Sequence, residues 1–209
     1  NSGLEALDFS ALQAASSDVN IQSNAGLETL NLTFLQTIAG TFRLQDLPAL
    51  EDLLVDSLYD IDGQLYLYQT GPAEFEMPLL EEADSIHIEA PYNGGDDIVE
   101  LSFPSLTYTG WLQATNNRIL EAIMLPVLES TSYITLDRTC QYSWDGCDGT
   151  SGNQYSLTAL DVSSLASLTT FTAYYTSLET LSFPSLTGVT TISVYDNTDM
   201  ESITADALT

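Results

Sequence analysis

Basic residues are almost absent from this chain. Its 209 residues include no lysine, three arginines and one histidine against 30 aspartates and glutamates, and the formal net charge is −27. Because such a surface repels phosphate groups, the charge excludes nucleic acid and an anionic membrane as direct partners. It favours a solvated acidic exterior in a cation-rich or extracellular setting, and a halophilic source would produce the same balance.

Long apolar runs and cofactor motifs are also missing. No stretch approaches the roughly 18 apolar residues of a membrane-spanning helix, so we expect no membrane insertion of this segment. The chain opens with Asn1-Ser2-Gly3-Leu4, without a signal peptide, and we expect a mature protein or a part of one. Nucleotide-binding glycine motifs and His-Glu-x-x-His strings are absent, and no Ser–His–Asp set is indicated. We therefore expect no cofactor.

Cysteine is nearly absent, with only Cys140 and Cys147 present. Their spacing matches neither a redox Cys-x-x-Cys motif nor a zinc site. The surrounding stretch is rich in glycine and aspartate. We predict a disulfide that closes a surface loop, which implies an oxidising compartment.

A short repeat organises nearly the whole chain. Leu-Glu-x-Leu at positions 4–7 returns at 27–30 and at 178–181. Equivalent fourth positions are Leu7, Leu30, Leu53, Phe75, Leu101, Ile123, Leu160, Leu181 and Ile203. Most steps are near 22 residues, and the two longer steps contain insertions near residues 89–97 and 137–155.

Each repeat continues with further apolar positions and then a second alternating pair, such as Leu65 and Leu67. Alternation at period two is typical of a strand with one buried face. One repeat cannot bury its apolar face alone, whereas stacked repeats form a continuous core. The sequence predicts one all-β domain over residues 1–209, a right-handed β-helix of about eight coils with a period near 22.

The pattern Leu-x-Phe-Pro-x-Leu, found at 101–106 and 181–186, resembles the receptor L-domain of insulin-receptor and epidermal-growth-factor-receptor ectodomains. It is more similar to the fungal GPI-anchored cell-wall organisation proteins with tandem L-domain-like repeats. The resemblance implies an extracellular glycoprotein of the cell wall or cell surface, GPI-anchored in its full-length form. The family's many sequons, serine-rich stalk and hydrophobic GPI signal are not seen here. The chain stops within a repeat at Thr209, so we expect a longer parent protein.

Glycosylation is predicted at the single sequon, Asn31-Leu32-Thr33. The candidate binding residues are the outward tyrosines of the second strand, Tyr66, Tyr68, Tyr174 and Tyr195, together with Trp144 on the second insertion. Exposed aromatics suit sugar rings or a protein partner, and cross-strand packing is the alternative interpretation. Trp111 is expected near a loop.

Charged residues offer further candidates. His87 is expected to be an ordinary exposed histidine. A series of glutamates recurs at one repeat position and is expected to stack along one edge: Glu5, Glu28, Glu51, Glu121, Glu179 and Glu201. Such a ladder repels itself unless water, salt or weakly bound cations relieve it; no specific metal site is predicted.

The predicted function is that of a non-catalytic extracellular cell-surface or cell-wall protein, acting in binding, adhesion or wall organisation. Its expected partner is a wall polysaccharide or another surface protein. One alternative is a polysaccharide-active β-helix enzyme that uses Asp96 and Asp97, or Asp145 and Asp148, on the insertions. A receptor-type ectodomain that binds a protein ligand is the other. The regularity of the repeats argues against a catalytic groove.

Overall fold

The computed structural model describes residues 3–70, 72–90, 98–117, 119–137 and 157–208. Over these ranges the chain forms parallel β-strands and no helix, and they stack as a β-solenoid of about seven turns with a period of about 23 residues. The predicted all-β solenoid is confirmed. Within the described ranges, no helix is long and apolar enough to cross a membrane.

The first sheet is made of nine three-residue strands. These strands are β1 (Ala6–Asp8), β4 (Thr29–Asn31), β7 (Asp52–Leu54), β9 (Glu74–Glu76), β11 (Glu100–Ser102), β13 (Ala122–Met124), β15 (Ala159–Asp161), β17 (Thr180–Ser182) and β19 (Ser202–Thr204). They pair in three sections, which end after β7 and after β15. The anchor residues predicted from the repeat pair with one another within each section, as Leu7 does with Leu30.

The second sheet is continuous along the solenoid. Its ten strands are β2 (Ala14–Ala15), β3 (Val19–Gln22), β5 (Thr37–Ile38), β6 (Phe42–Leu47), β8 (Asp60–Thr70), β10 (Glu82–Glu89), β12 (Tyr108–Thr115), β14 (Ser130–Asp137), β16 (Ser167–Tyr174) and β18 (Thr191–Tyr195). The long strands are irregular near their start, where the register between β8 and β10 shifts.

The core is the space between the two sheets. Side chains that alternate inward along each strand stack on their equivalents in the next turn, and the largest fully buried ones include Phe42, Phe103 and Phe171. Burying each such side chain contributes roughly 1.5–3 kcal/mol. Phe9 follows the anchor Leu7 by two residues, as the buried Phe103 follows Leu101, but it is 43% exposed. It lies in the first described turn, and among the described residues only the second turn packs against it.

A sharp corner follows the second sheet in most turns. The residue after the last outward position has a left-handed backbone in six of them: Ser23, Asp46, Gln69, Asn116, Tyr175 and Asp196, with φ between 48° and 58°. Buried amides complete some of these corners. Asn117, for example, donates from Nδ2 to the carbonyls of Ile88 and Thr115 at 3.1 and 3.0 Å. The corner thus reverses the chain while its polar groups remain hydrogen-bonded.

Candidate binding surface

The outward side of the second sheet is a grid of three side-chain columns across six strands, β8 to β18, which we call the aromatic face. Strand pairing fixes which residues are neighbours along each column. The eighteen positions are Gln64, Tyr66, Tyr68, Ser85, His87, Glu89, Trp111, Gln113, Thr115, Tyr133, Thr135, Asp137, Thr170, Thr172, Tyr174, Thr191, Ser193 and Tyr195. Six of these residues are aromatic and only two are acidic.

The outward side of the first sheet has the opposite composition. Its nine strands also carry eighteen outward positions, and none of these holds an aromatic residue. Six are acidic: Asp8, Asp52, Glu74, Glu76, Glu100 and Asp161. The aromatic face therefore has two acidic residues where the first sheet has six, and its other positions hold rings, hydroxyls and amides.

The four predicted tyrosines do not form one patch. Tyr68, Tyr174 and Tyr195 share a column, as expected, but Glu89, Thr115 and Asp137 separate Tyr68 from the other two. At about 4.8 Å per strand, Tyr68 lies roughly 19 Å from Tyr174 along the solenoid. The structure therefore separates the four predicted tyrosines into two groups, one on β8 and one at the corner after β16.

The β8 cluster consists of Tyr66 and Tyr68 with Arg43 and His87 from the neighbouring strands, and their side chains contact one another. The Arg43 guanidinium lies 4.3 Å from the centre of the Tyr66 ring, and the ring of Tyr68 stacks on Tyr66 with centres 6.4 Å apart. His87 meets Tyr66 edge-on at 5.2 Å. These contacts cover Tyr66, so it serves the sheet through cross-strand packing, and Tyr68 is left as the outer ring.

His87 is not the freely exposed histidine expected from the sequence. Its side chain is only 22% exposed, and its Nε2 lies 3.8 Å from Glu89 Oε2. Burial lowers the pKa of His87 below its usual value, and the charge of Glu89 opposes that shift. Burial, followed by the charge of Glu89, raises the pKa of Tyr66. At neutral pH the imidazole is therefore uncharged, which limits its use as an anion site.

Between these two clusters lies an exposed pair that the sequence analysis missed. Trp111 and Tyr133 are neighbours on β12 and β14, 46% and 47% exposed, with ring centres 6.2 Å apart and planes inclined by 60°. We call them the central pair. Trp111 was expected near a loop, yet it lies inside a strand. Its place in the grid could have been found by aligning Leu112 with Ile134 and counting back one residue.

Buried threonines support the central pair from beneath. Thr131 Oγ1 donates to the carbonyls of Tyr133 and Gly110, and Thr109 Oγ1 donates to that of Trp111. Both threonines are at most 4% exposed, and each satisfies its buried hydroxyl on backbone carbonyls of β12 or β14. Gly110 permits a close approach between strands, because a Cβ there would lie 2.7 Å from the Asp84 carbonyl oxygen.

The corner cluster consists of Tyr174, Tyr175 and Tyr195. The rings of Tyr174 and Tyr175 have centres 4.1 Å apart, and their hydroxyls are 3.4 Å apart. Tyr195 meets Tyr174 edge-on at 6.1 Å. The hydrogen bond with Tyr174, followed by burial, raises the pKa of Tyr175 to about 12. Tyr175 also has the left-handed backbone of the corner, with φ 53°, which costs a residue with a β-carbon about 1–2 kcal/mol.

The predicted glutamate ladder is interrupted. The amide of Glu28 donates to the Glu5 carbonyl and that of Glu51 to the Glu28 carbonyl, so these three residues do stack. The equivalent positions in the next turns are Ala73 and Val99, followed by Glu121, Thr158, Glu179 and Glu201. No more than three carboxylates therefore lie in consecutive turns. Among the described residues, no group of three or more His, Cys, Asp or Glu is arranged to hold a metal ion.

Asn31 lies on the outward side of β4. Its Oδ1 accepts hydrogen bonds from the amide and hydroxyl of Thr33 at 3.1 and 2.8 Å. These bonds leave Nδ2, the atom that would carry a glycan, outside the contact. Glycosylation of Asn31 stays a prediction.

Several predicted residues lie outside the described ranges. They are Trp144, the cysteines Cys140 and Cys147, and the acidic pairs Asp96 and Asp97, and Asp145 and Asp148. The disulfide and the enzyme alternative therefore stay predictions.

No protein-family model matches the chain, and neither a curated protein nor a solved structure matches it.

Proposed function

We propose that this chain is a non-catalytic binding module of an extracellular cell-wall or cell-surface protein, and that it binds a neutral polysaccharide across its aromatic face. The supporting observation is the contrast between the two sheets. Six aromatic residues lie on one face and none on the other, although both faces belong to the same repeat.

The chemistry of the face fits sugar rings. Pyranose rings have apolar C–H faces that pack on aromatic side chains and hydroxyl edges that hydrogen-bond to amides and alcohols. Trp111 and Tyr133 supply the rings, and Gln113, Thr135 and Thr170 surround them in the grid. With a net charge of −27, the protein repels acidic polysaccharides, so the proposed ligand is neutral.

The extended, regular shape of the face also fits a polymer. The face extends along the solenoid axis, where the strands repeat about every 4.8 Å, and also along the strands at about 3.3 Å per residue, so several sugar units of a linear chain fit on it. This role agrees with the proposed relation to the fungal cell-wall organisation proteins, in which the module would be GPI-anchored and would contribute to wall organisation.

A protein-binding receptor ectodomain is the second candidate, because exposed tryptophan and tyrosine are also frequent anchors in protein interfaces. The two candidates separate experimentally. A polysaccharide-binding face retains its affinity for purified glycan, whereas a protein-binding face binds none of the glycans offered.

The test uses calorimetric titration with hexasaccharides from neutral β-glucan, mannan and chitin. The double variant Trp111→Ala, Tyr133→Ala removes the central pair, and removal of one buried aromatic anchor commonly costs about 2 kcal/mol or more, roughly a thirtyfold loss of affinity. We expect at least that loss for the ligand that binds the unmodified protein.

The matched control is Phe34→Ser, Tyr59→Ser, which also removes two exposed aromatics, 58% and 41% exposed, but away from the aromatic face. It should bind as the unmodified protein does. Equal losses in both double variants would place the site elsewhere, and the absence of binding to every neutral hexasaccharide would refute the proposal.

A further inference from the structure

Tyr175 is unusual for the place it occupies. Six turns end the second sheet with a left-handed residue, and in five of them it is Ser, Asp, Gln or Asn. Asparagine and aspartate tolerate this conformation best after glycine, whereas a bulky side chain rarely adopts it. A tyrosine here therefore opposes the local backbone preference, and its neighbours must hold it in place.

The ring of Tyr175 is part of the corner cluster. It packs against Tyr174 at 4.1 Å, and Tyr195, 55% exposed, closes the cluster on the next strand. Strained residues that a structure maintains are concentrated at functional sites. No other turn whose corner is described combines an aromatic residue at the left-handed position with an aromatic residue in the adjoining column.

We propose that Tyr174, Tyr175 and Tyr195 form a second sugar-binding subsite, which binds one pyranose ring of the same neutral polysaccharide chain that lies on the central pair. This inference rests on the proposed function and specifies its ligand. The two subsites together set a minimum chain length.

The geometry gives that length. Tyr133 and Tyr174 are one strand apart along the solenoid and two outward positions, or four residues, apart along the strand. With about 4.8 Å per strand and about 3.3 Å per residue, their positions lie roughly 14 Å apart. A disaccharide is too short to cover both subsites, whereas a hexasaccharide reaches both. When one sugar chain is bound at the first subsite, its binding at the second is intramolecular and raises the overall affinity.

The test compares Tyr175→Asn with the unmodified protein, using a disaccharide and a hexasaccharide of the linkage that binds. Asparagine already occupies the equivalent corner as Asn116, so the backbone accepts it. We expect at least a tenfold loss of affinity for the hexasaccharide, an unchanged affinity for the disaccharide, and a melting temperature that does not fall. Tyr175→Phe keeps the ring and should retain the affinity for the hexasaccharide.

Gln69→Asn is the matched control, because Gln69 is a long side chain at the same corner with φ 48°. It should leave both affinities unchanged. If Tyr175→Asn lowers the melting temperature but binds the hexasaccharide normally, Tyr175 is a packing residue and the second subsite is refuted, while the central pair remains. Equal losses for both ligands would also refute it, because one subsite would then account for binding. If no glycan binds the unmodified protein, both proposals are wrong.

Discussion

Asn197 joins the turn that contains β18 to the turn before it, and replacing Asn197 should have a local effect of predictable size. Asn197 Oδ1 accepts from the amide and the hydroxyl of Thr176 at 2.7 and 2.8 Å. Its Nδ2 donates to the carbonyls of Ala173 and Tyr195 at 3.0 and 2.8 Å. Three of these four bonds join consecutive turns, and Thr176 is fully buried.

Asn197→Ala removes all four hydrogen bonds. Each contributes about 0.5–1.5 kcal/mol net, and water can replace only part of them at this half-buried corner, so we expect a loss of about 3 kcal/mol. Because solenoid turns contact only their neighbours, the cost should appear as local opening of β18 and not as global unfolding. The β18 amides that bond to β16 should exchange with deuterium about a hundredfold faster.

Hydrogen–deuterium exchange followed by mass spectrometry measures this directly, with β6 and β8 as internal references that should not change. Asn24→Ala is the matched control. Asn24 occupies an equivalent corner in the first turn, and its one side-chain hydrogen bond is local, from Nδ2 to the Gln22 carbonyl at 2.8 Å. Unchanged exchange in β18 would show that packing holds the last turn, and equal acceleration throughout would show that the solenoid unfolds as one cooperative unit.

Three further perturbations have definite expected outcomes. Gly110→Ala places a Cβ 2.7 Å from the Asp84 carbonyl oxygen, so the urea midpoint should fall by the equivalent of about 1–3 kcal/mol. The pKa of His87 is lower in the folded protein than its ordinary value of 6.5, so below pH 6.5 the imidazole is protonated more readily in the unfolded chain. The free energy of unfolding of the unmodified protein should therefore fall more steeply below pH 6.5 than that of His87→Gln. Urea titrations at several pH values will measure this difference. Tyr175→Phe should remove tyrosinate absorbance that develops near pH 12, because the pKa of Tyr175 is raised to about 12; a loss of absorbance that develops at a clearly lower pH would contradict the hydrogen bond with Tyr174.

The inward side of the fold was predictable from the sequence. Period-two alternation identified pairs such as Leu65 and Leu67, and both are buried. The anchors Leu101, Ile123 and Leu160 pair in the structure despite the long insertion before Leu160. Apolar residues repeat strictly because every turn must fill the same core, so their pattern survives changes in turn length.

The outward side was less predictable, because no packing requirement makes it repeat. The four tyrosines share a repeat position or its neighbour, but only hydrogen-bonded register shows that three turns separate Tyr68 from Tyr174. Trp111 was missed because its turn contains Tyr108, Gly110 and no clear alternation before Leu112. The glutamate series stacks over Glu5, Glu28 and Glu51 and is interrupted where Ala73 and Val99 occupy turns in which the Leu-Glu motif is absent.

The corner after the second sheet has an evolutionary consequence. Both long insertions enter the chain there, one after Glu89 and one after Asp137, and the strands on either side still pair residue for residue, from Ser85 with Trp111 to Asp137 with Tyr174. Extra sequence can therefore be spliced in at this position without shifting the grid. The number of residues between two turns can therefore change while the strands on either side keep their pairing, so the length of the chain and the arrangement of the outward side chains are independent of each other.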